Sequence, residues 1–195
     1  MGNFWKHLHT INHHRRLVRQ GCFRVGLYWQ GLTHDLSKYA PIEFWTGVRF
    51  YQGTRSPNTA ERETLGWSEA WMHHKGRNRH HFEYWTDLDP VTRVYAPVPM
   101  PQRFLAEMVM DRIAACKTYQ GAAYTDASPL AYLNRAKESR LVHKDTMRQL
   151  RFLLTMLAER GEKETFRFIR AHLRQKTPFC PPELTPATEN LPQHP

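Results

Sequence analysis

Apolar residues recur every three or four positions along most of the chain, the spacing typical of amphipathic α-helices. The first such stretch covers residues 4–30 and extends towards a histidine at position 34. Its apolar stripe consists of His14, Val18, Cys22, Val25, Trp29 and Leu32. Gly31 is expected to end this helix, because glycine is a poor helix former. No stretch alternates apolar and polar residues for long enough to predict a convincing strand.

Prolines and glycines divide the rest of the chain into further helices. The predicted helices are those from Pro41 to Tyr51, from Thr59 to His74, from Pro101 to Thr118, from Ser128 to Lys137 and from Leu141 to Arg160, and a last one containing Phe166, Ile169 and Leu173. Pro41, Pro101 and Pro129 each suit the first turn of a helix. Gly161 is expected to end the helix before it. Residues 86–101 are rich in proline and are predicted to form an extended connection.

These elements predict an all-α fold with a single domain over residues 1–176. A chain of 195 residues with 41% hydrophobic content is long and apolar enough to bury a sizeable core. Residues 177–195 contain six prolines and few apolar side chains, so they are predicted to be a disordered tail.

The composition narrows the classes of function. The formal net charge of +10 favours acidic ligands such as phosphate esters, nucleotides or nucleic acid. The three cysteines, Cys22, Cys116 and Cys180, are far apart, which excludes a disulfide framework and a cysteine zinc site. No signal peptide and no membrane-spanning stretch is visible, so the protein is predicted to be cytoplasmic, without a membrane partner.

The adjacent residues His34 and Asp35 are the first candidates for chemistry. They lie in the stretch Leu32–Lys38, with apolar residues before and after them. A metal ion accepts a neutral imidazole nitrogen and a carboxylate oxygen together, and apolar neighbours hold such ligands in place. The alternative is a solvated turn, because isolated His-Asp pairs are common.

Histidines cluster elsewhere in the chain as well. Seven of the 12 histidines form a pattern: His13, His14, His34, His73, His74, His80 and His81. On an uninterrupted helix His74 and His81 would share one face, although Gly76 lies between them. Hydrogen-bonded histidines on a wet surface are the alternative for any one of these residues. For the whole set, that alternative requires several coincidences.

Asp111 is the third candidate. It falls within an apolar stripe made of Phe104, Met108, Asp111, Ala115 and Thr118. A lone carboxylate in a core-facing position is strongly penalised by desolvation, and a metal ion or a cationic partner removes that penalty. An ordinary ion pair with an arginine is the other explanation.

The order of these residues resembles the HD-domain superfamily of metal-dependent phosphohydrolases. The stretch His34-Asp35-Leu36-Ser37-Lys38 resembles the superfamily's signature, and His80-His81 with Glu83 is similar to the second histidine cluster of its dinuclear members. The chain also resembles, over about residues 5–160, an uncharacterised bacterial and phage family with HDLSK and HxxxNxHHxEY stretches. The resemblance implies a bundle of about five helices with the ligands pointing inward, here extended by C-terminal helices.

The resemblance also implies roles for individual residues. The implied metal ligands are His14, His34, Asp35, His74, His80, His81 and Asp111. The implied catalytic residues are Asp35, Lys38 and Glu83. The candidates for binding substrate phosphate are Lys38, Arg112, Lys117, His143 and Lys144. Glu83 and Asn78 are also expected to orient ligand histidines.

Nitrogen and carboxylate donors without a thiolate suit one or two divalent transition-metal ions: Fe, Mn, Ni, Co or Zn. The predicted function is therefore metal-dependent hydrolysis of a phosphorylated small molecule, most simply a nucleotide. Two alternatives stay open. One is a di-iron oxygenase, because the HD scaffold also resembles that of inositol oxygenase. The other is a nucleic-acid-binding or phage accessory module whose histidine cluster is structural. Serine-hydrolase and P-loop motifs are absent, and the oligomeric state is left open.

Overall fold

The computed structural model describes residues 2–135 and 141–180, and this part of the chain is mostly α-helical, as predicted. Its helices are α1 (Asn3–Val25), α2 (Tyr28–Thr33), α3 (Pro41–Arg49), α4 (Pro57–Leu65), α5 (Glu69–Lys75), α6 (Gln102–Gln120), α7 (Ser128–Arg135) and α8 (Lys144–Gln175). Short 3-10 turns lie at Leu36–Tyr39, Phe82–Tyr84 and Gly121–Ala123. Strands β1 (Thr86–Leu88) and β2 (Tyr95–Pro97) form an antiparallel pair.

Helix α6 lies at the centre of the fold and packs against α1, α7 and α8. It starts directly after Pro101, as predicted, but only Met108 of the predicted stripe is fully buried, and the other four stripe residues are partly exposed. The buried residues of α6 are Leu105, Ala106, Glu107, Met108, Val109, Met110, Ile113, Ala114 and Cys116. Because nearly all sides of the helix are covered, its polar side chains are carried into the interior. Two of these are the carboxylates Glu107 and Asp111.

Helix α1 is shorter than predicted. The first four residues of the predicted stripe, from His14 to Val25, are buried, but Trp29 and Leu32 are exposed. The helix ends at Val25 because Gly26 adopts a left-handed conformation, with φ of 88°, and reverses the chain. The prediction of one helix over residues 4–30 is therefore wrong beyond Val25.

Gly31 lies inside α2 and does not end a helix, in contrast to the prediction. A Cβ atom at this position would lie 3.0 Å from Cys22 Cβ and 3.1 Å from the Phe23 ring. Glycine therefore allows α2 to fold back closely onto α1. This packing places the end of α2, and the His34-Asp35 pair after it, against the buried face of α1.

The predicted helix from Thr59 to His74 is two helices, α4 and α5. Gly66 takes a left-handed conformation, with φ of 84°, and ends α4. Ser68 then caps α5, because its hydroxyl oxygen accepts a hydrogen bond from the Trp71 backbone N–H at 3.0 Å. The break separates α5 from α4, and His74 on α5 is buried.

The other predicted boundaries agree more closely with the structure. Helix α3 begins at Pro41 and α7 at Ser128, as predicted, while the predicted end of α7 at Lys137 lies outside the described residues. Gly161 is non-helical, with φ of 75°, and divides α8 at the predicted point. The proline-rich connection over residues 86–101 contains the short β-hairpin, which the sequence analysis did not predict.

The predicted domain boundary at residue 176 needs correction. Phe179 is 1% exposed and packs in the hydrophobic core, and Cys180 is also buried. The Phe179 backbone N–H donates to Gln149 Oε1 at 3.0 Å, and the Gln102 side chain donates to the Thr177 carbonyl. Residues 177–180 therefore belong to the folded domain. The rest of the predicted tail, residues 181–195, lies outside the described residues.

Removing the buried Phe179 ring is expected to destabilise the protein by about 3 kcal/mol, since Phe→Ala in a core leaves a cavity. The measurement compares the melting temperatures of Phe179→Ala and of Val91→Ala, a control at a residue that is 87% exposed. A chain that ends at Lys176 should likewise melt lower than one that ends at Cys180. The observed docking of residues 177–180 would be contradicted if Phe179→Ala melted at the same temperature as Val91→Ala and if the two truncated chains also melted at the same temperature.

Candidate metal centre

The His34-Asp35 pair lies at a sharp turn between α2 and the following 3-10 turn. Asp35 adopts a left-handed conformation, with φ of 54°, which aspartate tolerates better than most residues. Arg15 holds this turn, because its Nε donates to the His34 carbonyl at 2.8 Å and its Nη2 to the Leu32 carbonyl at 3.2 Å. Both side chains of the pair are almost completely buried.

One oxygen of Asp35 faces a first group of candidate ligands. Asp35 Oδ2 lies 3.7 Å from His14 Nε2 and 3.4 Å from His34 Nε2. Asp111 Oδ1 completes the group, 3.0 Å from His14 Nε2 and 3.5 Å from His34 Nε2. Helices α1 and α6 and the turn after α2 thus each contribute to this group.

The other oxygen of Asp35 faces a second group. Asp35 Oδ1 lies 3.3 Å from His74 Nε2 and 3.4 Å from His80 Nε2. His81 also offers a nitrogen within 4.8 Å of the other ligand atoms of this group. The structure therefore brings all seven predicted ligands together, in two groups that have Asp35 in common.

The spacing of the donor atoms is compatible with metal ions. Ligands about 2.0–2.1 Å from an ion lie about 2.8–3.4 Å apart in octahedral or tetrahedral geometry. The distances in both groups are close to that range. Among the described residues, Asp35 Oδ1 and the Nε2 atoms of His34, His80 and His81 have no hydrogen bond of good geometry. Converging buried polar atoms without partners are costly, and a cation removes that cost, so these clusters could hold a metal ion.

Two buried glutamates, which the sequence analysis missed as functional residues, orient the imidazole rings. Glu107 Oε1 accepts hydrogen bonds from His34 Nδ1 at 2.9 Å and His80 Nδ1 at 3.2 Å. Glu43 Oε2 accepts from His74 Nδ1 at 2.8 Å. A histidine that donates through Nδ1 presents the Nε2 lone pair, which is the ligand form. One sequence signal was available for Glu107, since it lies four residues before Asp111 in an apolar stretch.

Further polar contacts surround His74. The Asn78 amide nitrogen donates to the Ser37 hydroxyl and to the His74 carbonyl, both at 2.8 Å. Asn78 therefore contacts a candidate ligand, and its role in orienting that ligand stays a prediction. The other two histidines of the pattern, His73 and His13, lie outside the two ligand groups. His73 Nδ1 is hydrogen-bonded to Glu43 Oε1 at 2.6 Å. His13 is exposed and stacks on His9.

Lys38 lies at the edge of the centre. Its ammonium is 2.9 Å from Asp35 Oδ2, and its side chain is 30% exposed. Burial lowers the pKa of Lys38, but the charges of Asp35 and Asp111 outweigh burial and raise the pKa above its usual value. Lys38 is therefore a fixed positive charge beside the shared carboxylate and within reach of solvent.

The other predicted substrate-binding residues lie in different surroundings. Lys117 forms an ion pair with Glu162 of α8, and His143 caps α8 by accepting from the Asp145 backbone N–H at 3.2 Å. Lys144 is the exposed first residue of α8. These contacts give Lys117, His143 and Lys144 structural or surface positions, and the structure does not connect them to the ligand groups.

Arg112 and Glu83 lie next to candidate ligands along the chain. Arg112 directly follows Asp111 on α6, and its guanidinium is 5.9 Å from the centre of the Tyr132 ring. Glu83 is half-buried in the 3-10 turn Phe82–Tyr84, two residues after His81. Their proposed roles in catalysis and substrate binding stay predictions.

Comparison with known proteins places the chain in a family. A family model described as a family of unknown function, DUF5662, matches residues 3–156. The chain belongs to this family. The matched region contains every candidate metal ligand of this DUF5662 member. No curated protein and no solved structure gave a significant match. Within the described residues, no helix is long and apolar enough to cross a membrane.

The ionisable groups of the centre perturb one another. Burial favours the neutral form of Asp35, but the positive charges of His34, Lys38 and His74 hold its pKa well below the usual range. Burial likewise lowers the pKa of His34 and of His74, yet Asp35 and other nearby carboxylates raise both values overall. Burial and the neighbouring histidines lower the pKa of His81 well below its usual value.

Metal uptake by this DUF5662 protein is expected to become tighter as pH rises. His34 and His74 have raised pKa values and keep their protons to a higher pH than ordinary histidines, so protons compete with metal at these nitrogens. Titration calorimetry of chelator-treated protein with Zn²⁺, in buffers of different ionisation enthalpy, should show proton release and stronger binding above about pH 6.5. Binding that is independent of pH and releases no protons would contradict ligation by these two residues.

Proposed function

We propose that this protein is a metal-dependent phosphohydrolase in which Asp35 bridges two divalent transition-metal ions. The observation that carries the proposal is the position of the Asp35 carboxylate, since each of its oxygens faces a different group of imidazole nitrogens. Two such ions supply Lewis acidity and a water of lowered pKa, which are the requirements for in-line attack on a phosphoryl group.

The donor set supports a transition metal. Five imidazole nitrogens and two carboxylates suit Fe, Mn, Co, Ni or Zn, and the set contains no sulfur. Cys22 is fully buried nearby, but burial and the charges of Glu107 and Asp111 raise the pKa of its thiol, which disfavours the thiolate form that binds metals.

The exposed edge of the centre suggests where substrate enters. The side chains of Lys38 and Asp111 are 30% and 18% exposed, whereas those of His34 and His80 are almost completely buried. A phosphate that enters at this edge would meet the Lys38 ammonium first, and the ammonium would hold one phosphoryl oxygen as a point charge. The net charge of +10 favours an anionic substrate, and a nucleotide is the simplest candidate.

The test begins with metal analysis of protein purified without a histidine tag. We expect one to two equivalents of transition metal per chain. The chelator-treated protein is then loaded with Mn, Fe, Co, Ni or Zn and assayed with p-nitrophenyl phosphate, bis(p-nitrophenyl) phosphate and a panel of nucleotides. At least one loaded form should release phosphate or nitrophenol, and the chelated protein should not.

Two results would reject the proposal. A protein that takes up none of these metals has no metal centre. A loaded protein that hydrolyses no phosphoester, but consumes O₂ in its iron form, is an oxygenase instead.

A further inference from the structure

A second candidate site lies beside the metal centre, between α2, residues 77–80 and the start of α6. We define this arginine cleft by Trp29, Arg77, Arg79, Arg103, Phe104 and Glu107. The cleft has a volume of about 640 Å³, within the range typical of small-ligand sites. The cleft adjoins the metal centre, because His34 and His80, one member of each ligand group around Asp35, also line it.

Residues 77–80 all line the cleft, and their side chains alternate between exposed and buried positions. Asn78 and His80 are buried and contact the centre, whereas Arg77 and Arg79 are exposed. One short segment therefore directs two polar residues inward and two guanidinium groups outward. The first turn of α6 adds Arg103 to the same cleft.

The arginines of the cleft lack ion-pair partners within the part of the chain that the structure describes. Among the described residues, no carboxylate forms an ion pair with Arg77, Arg79 or Arg103. The guanidinium carbons of Arg79 and Arg103 lie 5.8 and 4.8 Å from the centre of the Phe104 ring, which restrains both side chains. Of the described carboxylates, Glu107 alone lines the cleft, and it is 5% exposed and already accepts two imidazole N–H bonds.

The cleft also contains a large exposed aromatic surface. Trp29 is 73% exposed, although it belongs to a short helix that packs closely on α1. A planar indole beside several guanidinium groups combines the two features that recognise nucleotides, since the ring stacks on a base and the arginines bind phosphate oxygens in pairs.

We propose that the arginine cleft binds a nucleotide beside the metal centre, outside the space between the Asp35 oxygens and the imidazole Nε2 atoms. Arg79 and Arg103 contact the phosphates, and Trp29 stacks on the base. The cleft approaches the centre from the Nδ1 side of His34 and His80, through Glu107, whereas the solvent-exposed edge of the centre is at Lys38 and Asp111. Binding at the cleft therefore requires neither bound metal nor hydrolysis.

A free nucleotide and the end of a single-stranded nucleic acid present the same chemistry to this cleft. A second basic recess, lined by Arg15, Arg16 and Arg19, lies on the other side of α2. A strand of several nucleotides carries enough phosphates for two basic recesses, whereas a mononucleotide carries the phosphates for one. The two ligands are distinguished by comparing the affinity for ADP with the affinity for a 5′-phosphorylated hexathymidylate. Binding of the hexamer that is stronger and more salt-dependent than binding of ADP identifies nucleic acid as the ligand.

The test uses titration calorimetry of the full chain with three probes: ADP, inorganic pyrophosphate and the hexamer. We expect saturable ADP binding that persists after chelator treatment and in Asp35→Asn. The double variant Arg79→Ala/Arg103→Ala should weaken binding of ADP and of pyrophosphate at least tenfold. The double variant Arg167→Ala/Arg170→Ala, at two exposed arginines of α8, is the matched control and should bind like the wild type.

Trp29→Ala distinguishes a nucleotide site from a simple phosphate site. This variant should weaken ADP binding severalfold and leave pyrophosphate binding unchanged, because only the base stacks on the indole. The proposal is overturned if the cleft variants bind ADP as tightly as the α8 control. It is also overturned if ADP binding disappears on metal removal, which would assign the binding to the metal centre, or if no probe binds saturably. Thermal melts confirm that each variant is folded.

Discussion

Asp35→Asn is expected to reduce metal content by at least one ion per chain and to lower phosphoesterase activity at least about 100-fold. Both Asp35 oxygens face imidazole nitrogens, at 3.4 Å from His34 Nε2 and 3.3 Å from His74 Nε2. A carboxamide has one oxygen and no charge, so it can serve one group only. The measurements are metal content by mass spectrometry and kcat/KM for the substrate that the wild type hydrolyses.

The backbone should not disturb this comparison. Asp35 has a left-handed conformation, and asparagine adopts that conformation as readily as aspartate does. Asp87→Asn, on the exposed strand β1, is a control for the chemical change itself. If Asp35→Asn retains both ions and full activity, Asp35 is a structural residue and the bridging assignment is wrong.

Lys38→Ala provides a contrast at the same place. In the wild type the Lys38 ammonium is 2.9 Å from Asp35 Oδ2. Because an ammonium cannot bind a cation, the metal content of the variant should equal that of the wild type. KM should rise, because the positive charge at the exposed edge of the centre is lost. A loss of metal in Lys38→Ala would mean that the lysine positions Asp35, and that phosphate binding is not its main role.

Glu107→Leu is expected to weaken metal affinity by about 10- to 100-fold, the usual effect of removing a group that orients ligand histidines. Glu107 Oε1 accepts from His34 and His80, which belong to different ligand groups, so both sites should be affected. Titration of chelator-treated protein with a competing metal indicator measures the change. Glu107→Gln should lose less affinity, because its amide oxygen still accepts hydrogen bonds.

Glu164→Leu is the matched control for this variant, since Glu164 is exposed on α8. Its metal affinity should equal that of the wild type. If Glu107→Leu also binds both ions with wild-type affinity, the imidazole orientation is fixed by packing alone, and the carboxylate has no role in the metal centre.

Part of the candidate ligand set was indicated by the residues themselves, because the cost of burying polar groups is local information, and the resemblance implied the rest. A His-Asp pair with apolar neighbours, a histidine doublet among aromatics and an aspartate within an apolar helix each predict a partner in the interior. The same reasoning predicted the central helix α6 and the helix starts at Pro41 and Ser128, because periodicity and proline act over a few residues.

The division of the ligands into two groups was decided by the tertiary structure. Which oxygen of Asp35 faces which imidazole depends on the left-handed turn at Asp35 and on the helix ends at Gly26 and Gly66, which the sequence analysis did not predict. Glycine in a helical pattern is compatible both with a continued helix and with a left-handed end, and packing against distant segments chooses between them.

The same dependence on distant partners explains what was missed. Glu43 looks like an ordinary surface glutamate in the sequence, and Glu107 is marked only by its apolar neighbours, because their histidine partners lie 31 and 73 residues away. Phe179 looked like part of a proline-rich tail, and only its contact with the core reveals its role. The sequence by itself determined which side chains are apolar and which polar groups need a partner once buried, because the cost of burial depends on chemical type. The tertiary structure decided which partner each group meets, because pairing depends on geometry.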